Sequence, residues 1–156
     1  MKITLPTLLI LAIFLCGCGA GNTPDEKVTT TPGGATVQGK GIDASIGTEA
    51  KVSESDLHVP FYPGAKLLND KCMKVKTDKE ESVLAYFEST DDPKVVAEFY
   101  QSKVAGLKLN EFKNGDAVNY MGDVKLSDGA KVAVTLSKKS ADKPVEISVG
   151  YGKTSE

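Results

Sequence analysis

The sequence predicts an α+β domain: an antiparallel sheet of about six strands with one helix packed on one face, in the order strand-strand-helix-strand-strand-strand-strand. Three observations lead there. Residues 92–106 carry the start and stop signals of a single helix, with an apolar stripe between them. The chain on either side alternates apolar and polar side chains with the period of two that a half-buried strand requires. Between the alternating runs stand Asn-Gly, Ser-Asp-Gly and similar groups, which suit tight reversals.

The domain opens at Leu57-His58-Val59-Pro60-Phe61-Tyr62-Pro63-Gly64-Ala65. Pro63 presets its own φ and Gly64 accepts a positive φ, so the pair fits the centre of a type II turn. The flanking Phe61 and Tyr62 are expected to pack over the core; standing free, they would form a ligand clamp. Lys71 to Lys76 and Ser82 to Ser89 read as strands about the polar turn Thr77-Asp78-Lys79-Glu80, with Val83, Ala85 and Phe87 on one face of the second. In the helix, Asp92 is the N-cap, Pro93 the first helical residue and Gly106 the left-handed C′ residue. Val95, Val96, Phe99, Tyr100 and Val104 make its apolar stripe, with Lys94, Glu98, Gln101 and Ser102 on the wet side. Leu107 to Phe112 then turns at Asn114-Gly115 into Ala117 to Leu126. Ser127-Asp128-Gly129 leads into Lys131 to Ser137, and a polar loop over 138–143 precedes the last strand, Val145 to Tyr151.

Ahead of the domain the chain changes character. Gly19 to about Ser55 consists of Gly, Thr, Ser, Pro, Ala and charged residues, with almost no large side chains. Such a segment buries too little apolar area to offset the entropy of ordering it, so it is expected to be mobile. Some 35 flexible residues would reach roughly 30 to 35 Å. Within this tether Gly41-Ile42-Asp43-Ala44-Ser45-Ile46-Gly47 alternates, and would add a short edge strand.

Met1 and Lys2 give a positive start, and Ile3 to Leu15 is an apolar run of signal-peptide length, short of the roughly 20 residues a membrane span needs. Leu15-Cys16-Gly17-Cys18 closes it. This stretch resembles the lipobox of bacterial lipoproteins. The resemblance implies cleavage before Cys18, a diacylglyceryl thioether on its sulfur and acylation of the freed amine. Two or three acyl chains, at about 0.8 kcal/mol per buried methylene, would hold the protein on a bilayer. Gly19, where an Asp favours retention at an inner membrane, implies the periplasmic side of the outer membrane in a cell with two membranes. The Tyr62-Pro63-Gly64-Ala65 stretch and the elements beyond it are loosely similar to small domains of uncharacterised envelope lipoproteins, which implies no activity. The expected organisation is a signal peptide over 1–17, lipidated Cys18 and a flexible tether over 18–55, and a single α+β domain over 56–156.

All 19 basic residues are Lys, against 21 acidic ones, so the Arg fork that reads phosphates and base edges is missing. Nucleic acid is therefore not an expected partner. With Cys16 removed and Cys18 lipidated, Cys72 is the one thiol left; it is expected to be buried, and otherwise free to pair. His58, the only histidine, sits at the border of the domain. No Cys-x-x-Cys, His-x-x-x-His or Gly-rich phosphate loop occurs, so no catalytic, metal or cofactor residue is assigned. Asp91-Asp92 is accounted for by the helix cap rather than by calcium. The expected function is a lipid-anchored, non-catalytic interaction or structural module of the cell envelope. Its partners would be the membrane, through Cys18, and another envelope component. The alternative is a thiol-dependent or hydrolytic protein built on Cys72 or on carboxylates that the fold gathers; a passive surface protein is the third reading.

Overall fold

The computed structural model describes residues 26–154. They form ten strands, two α-helices and a 3-10 turn over Asn69–Lys71: β1 (Lys27–Thr31), β2 (Gly34–Gly39), β3 (Ile42–Gly47), α1 (Glu54–Leu57), β4 (Lys66–Leu67), β5 (Met73–Thr77), β6 (Glu80–Ser89), α2 (Pro93–Lys103), β7 (Asn110–Asn114), β8 (Ala117–Lys125), β9 (Lys131–Lys138) and β10 (Val145–Thr154). All strands join one antiparallel sheet, in the order β1-β2-β3-β5-β6-β10-β9-β8-β7. The short β4 lies beyond β5 on the same edge of β6, opposite Phe87 and Glu88.

The antiparallel sheet and the helix across it agree with expectation, but the strands number ten rather than about six. Most of the difference lies at the N-terminal side. From Lys27 onward the segment expected to be a flexible tether forms β1, β2 and β3. The run over 41–47 is not an edge strand, because β3 pairs with β2 on one side and β5 on the other. A domain border at 55/56 would therefore cut through a hydrogen-bonded sheet. Composition misled here because these strands are held by backbone ladders, which small residues support as well as large ones. The signal segment, Cys18 and the first residues of the expected tether lie outside the described residues.

The core occupies one face of β6, β10, β9 and β8. Val83, Ala85 and Phe87 of β6, Val145, Ile147, Val149 and Tyr151 of β10, and Val132, Val134 and Leu136 of β9 are all buried there. Two covers close it: α2 packs on β8 and β9, while α1 packs on β6 and β10. The chain around α1 adds Ala50, Val52, Leu57 and Val59 to the same core. The Pro63-Gly64 turn forms as expected, with Gly64 at φ +81° and the Ala65 N–H donating to the Tyr62 carbonyl at 3.1 Å. Phe61 and Tyr62 pack rather than stand free. Phe61 meets Phe87 edge-on at 4.8 Å, and Tyr62 meets Phe99 at 5.2 Å while its hydroxyl donates to Asp91 at 2.7 Å.

α2 starts where its cap requires, the Asp92 carboxylate accepting from the Lys94 N–H at 2.8 Å. Its buried residues are Pro93, Val96, Ala97 and Tyr100, so the stripe is rotated from the expected one. Val95 is 51% exposed, and Phe99 sits at the edge of the contact. Tyr100 is the largest of the fully buried side chains, and desolvation raises its hydroxyl pKa far above that of an ordinary tyrosine. The helix ends at Lys103, and Gly106 takes its positive φ of +81° in the following turn, which the Leu107 N–H closes on the Val104 carbonyl at 3.1 Å.

Candidate functional site

The sheet changes sides halfway across. In β6, β10, β9 and β8 most of the large apolar side chains point toward the helices, Leu84 and Met121 excepted, whereas in β1, β2, β3 and β5 the larger apolar ones point to the opposite face. The register makes this explicit: Lys74 pairs with Val83 and so shares the core-side face, while Met73 pairs with Leu84 on the other. Working outward, Ser45 and Thr36 follow Lys74, and Ile46 and Ala35 follow Met73. The four strands thus form a wing, polar on one side and apolar on the other, that extends past the helical covers.

On its polar side the wing and the loop before α1 enclose an open hollow of about 460 Å³, lined by Asp43, Ser45, Glu49, Asp56, Lys74 and Glu81 among others. Its organising group is Asp56. The Ser53 N–H and hydroxyl donate to one Asp56 oxygen at 2.8 and 2.6 Å, and the Lys74 ammonium donates to the other at 2.7 Å. Partial burial pulls the Asp56 pKa up, but the hydrogen bonds from Lys74 and Ser53 together outweigh it and leave the carboxyl below its usual value of 3.8. A group depressed in this way stabilises the fold above its unfolded pKa, and the contribution disappears as pH falls through the folded one. Asp56→Ala is expected to cost about 1–2 kcal/mol at neutral pH. Urea denaturation of the two proteins should converge as pH drops below about 4; a gap that persists into strong acid would contradict the assigned charge.

On the apolar side a trough of about 440 Å³ runs between Ala35, Ile46, Met73, Leu84 and Tyr86. Val28, Ile42 and Ile46 on this face are 57, 36 and 42% exposed. None of these residues was singled out from the sequence as part of a surface. The signal was present in the alternation over 42–46, but alternation does not say which side of a sheet is covered.

The residues considered for chemistry are not assembled into one place. Cys72 is 2% exposed, its thiol pKa is pushed up by burial, and its Sγ donates to the Leu68 carbonyl at 3.4 Å. A reactive thiol needs the reverse, exposure and a lowered pKa. His58 is exposed at the end of α1, where its φ of 55° terminates the helix and its ring stacks on Tyr151 at 4.7 Å. Among the described residues neither His58 nor Cys72 has a hydrogen bond to a carboxylate, and no group of three or more His, Cys, Asp or Glu is placed to hold a metal ion. Asp91 and Asp92 are engaged by the Tyr62 hydroxyl and the Lys94 N–H respectively. Cys18, the expected lipid attachment, lies outside the described residues.

Comparison with protein-family models, with curated proteins and with solved structures finds no match for this chain.

Proposed function

We propose that this chain is a lipid-anchored protein of the bacterial cell envelope, a non-catalytic interaction or structural module held on a membrane through Cys18. The observation that carries this reading is the stretch Leu15-Cys16-Gly17-Cys18 at the end of the apolar run from Ile3. Its spacing is that of a lipobox, and the chemistry of lipidation needs a sulfur nucleophile at that position. In a cell with two membranes, Gly19 favours the periplasmic face of the outer one. The inward, high-pKa Cys72 and the stacked His58 support a role without covalent chemistry. The wing, with Val28, Ile42 and Ile46 exposed on one face, supports contact with another envelope component.

Mass spectrometry of the processed protein should find an N-terminal Cys18 carrying two or three acyl chains. Cys18→Ser should move the protein from the membrane fraction to the soluble one. An unmodified N-terminus, or wild-type protein that washes from vesicles in plain buffer, would sink the proposal.

A further inference from the structure

Among the described residues the main strand path of the sheet ends at β1 and at β7, the short β4 lying off it. Apart from its ladder to β8, the backbone of Asn110–Asn114 makes no hydrogen bond among the described residues, and all five side chains are exposed. An open row of N–H and C=O groups is a template for another strand, and proteins usually blunt it with charge, proline or a bulge. β7 has no proline and pairs with β8 in unbroken register, Asn110 with Met121 through Asn114 with Ala117. It does carry charges, and their arrangement is the point.

Asn114 and Ala117 flank a two-residue loop and so form a hydrogen-bonded pair, as do Phe112 with Asn119 by alternation. The N–H and C=O groups of Glu111 and Lys113 therefore face away from the sheet. The strand reads Asn110-Glu111-Phe112-Lys113-Asn114, which maps onto itself with opposite charges when reversed about Phe112. We infer that β7 is a self-pairing edge, and that two copies of this chain join antiparallel across a two-fold axis at Phe112.

Glu111 and Lys113 pair with each other along the strand at 2.7 Å in the single chain; in that register each also stands opposite its counter-charge on the other copy, so that the two pairs close into one four-membered network. The four outward backbone groups on each copy pair with those of its mate, and Asn110 meets Asn114. The two Phe112 rings, each 52% exposed in the single chain, face each other at the non-hydrogen-bonded position, where cross-strand side chains come closest. Met121, 46% exposed on the same face, flanks them. The parallel alternative would set like charges side by side. β1 offers no comparable match: folded back on itself about Thr29 it sets Lys27 opposite Thr31, with neither a charge pair nor a large apolar group on the axis. The inference does not depend on the membrane anchor.

The test is a charge-exchange set in the full chain, followed by sedimentation equilibrium in density-matched detergent. The wild type is expected to be a dimer. Glu111→Lys and Lys113→Glu should each weaken it by about tenfold or more, because each creates two like-charge contacts across the axis. The double variant E111K/K113E should restore it, since the charges are exchanged but still opposed. A wild-type chain that stays monomeric to about 0.1 mM would overturn the inference, as would a dimer indifferent to all three variants. Should a charge variant misfold by circular dichroism, Phe112→Cys in the otherwise native chain decides. A disulfide between the two copies at position 112, mapped by peptide mass, supports the pairing, since directly opposed residues at a non-hydrogen-bonded position lie within disulfide reach; its absence after oxidation at about 0.1 mM protein overturns it.

Discussion

Phe87→Ala is expected to destabilise the fold by about 3–5 kcal/mol. Phe87 is 1% exposed on the core face of β6, opposite Ile147 of β10 on one side and Leu67 of β4 on the other. Its ring also supports Phe61, which carries the chain from α1 into the Pro63-Gly64 turn. Truncation would leave a void that neighbours on three elements cannot fill without breaking ladder hydrogen bonds. Against the roughly 5–15 kcal/mol that holds a domain of this size, the loss is a large share. The urea midpoint should fall with little change in slope, since the same surface is still exposed on unfolding. Val95→Ala, by contrast, should stay within about 0.5 kcal/mol, because that side chain is 51% exposed and outside the stripe. An equal effect at the two positions would mean that the helix faces the sheet differently.

Gly47→Ala should act on the wing instead. Gly47 ends β3 at φ +63°, a conformation that costs an L-residue about 1–2 kcal/mol. An added methyl would in addition run into the Gly33 carbonyl oxygen and lie 3.0 Å from the Gly34 Cα, both backbone atoms that cannot swing aside. That carbonyl accepts the Thr48 N–H at 3.1 Å, and the Gly47 N–H donates to Cys72 at 2.8 Å, so relief of the clash breaks the joint between β2, β3 and β5. Together the two penalties amount to about 2–5 kcal/mol. Gly64→Ala separates them: its φ is +81° with nothing within 4 Å of the new carbon, so it should show the conformational penalty alone. Hydrogen exchange is the appropriate readout. Gly47→Ala should expose the amides of β1, β2 and β3 while those of β9 and β10 stay protected, whereas Phe87→Ala should accelerate all of them. Uniform acceleration in Gly47→Ala would show that wing and core open as one unit.

These contrasts also explain which parts of the fold were legible in the sequence. Asp92-Pro93 and Pro63-Gly64 act through local backbone chemistry and stand where that chemistry places them, whereas Asn114-Gly115 marks its hairpin one residue early: Asn114 ends β7 opposite Ala117, and the loop is Gly115-Asp116 with the positive φ at Gly115. Val132, Val134 and Leu136, like Val145, Ile147 and Val149, combine alternation with large side chains, and one face of each strand is buried accordingly. The first three strands lacked the second property. Thr29, Ala35, Ala44 and Ser45 bury little, so a composition argument assigns them to a tether although their backbones pair in full register. The helix stripe failed by one step at Val95, because its spacing to Phe99 fits the pattern as well as Val96 to Tyr100 does, and only the sheet beneath decides. The apolar side of the wing was hidden for a similar reason: the alternation over 42–46 gives two faces without saying which one the helices cover. The opposed charges of β7 were visible as Glu111 and Lys113, but their meaning required knowing that this strand is last in the sheet.

The position of β1 bears on how the molecule responds to a pull. Whatever precedes Lys27 is joined to the outermost strand of the wing, five strands away from β10 in the sheet order. Lys27 lies opposite Gln38, at the open end of the hairpin that closes at Thr31 and Gly34. A tug from that side directed across the strands would load one backbone pair at a time, as in opening a zip, whereas one directed along β1 would load the whole ladder in shear. In the first case the hairpin would yield before the packed half of the protein came under tension.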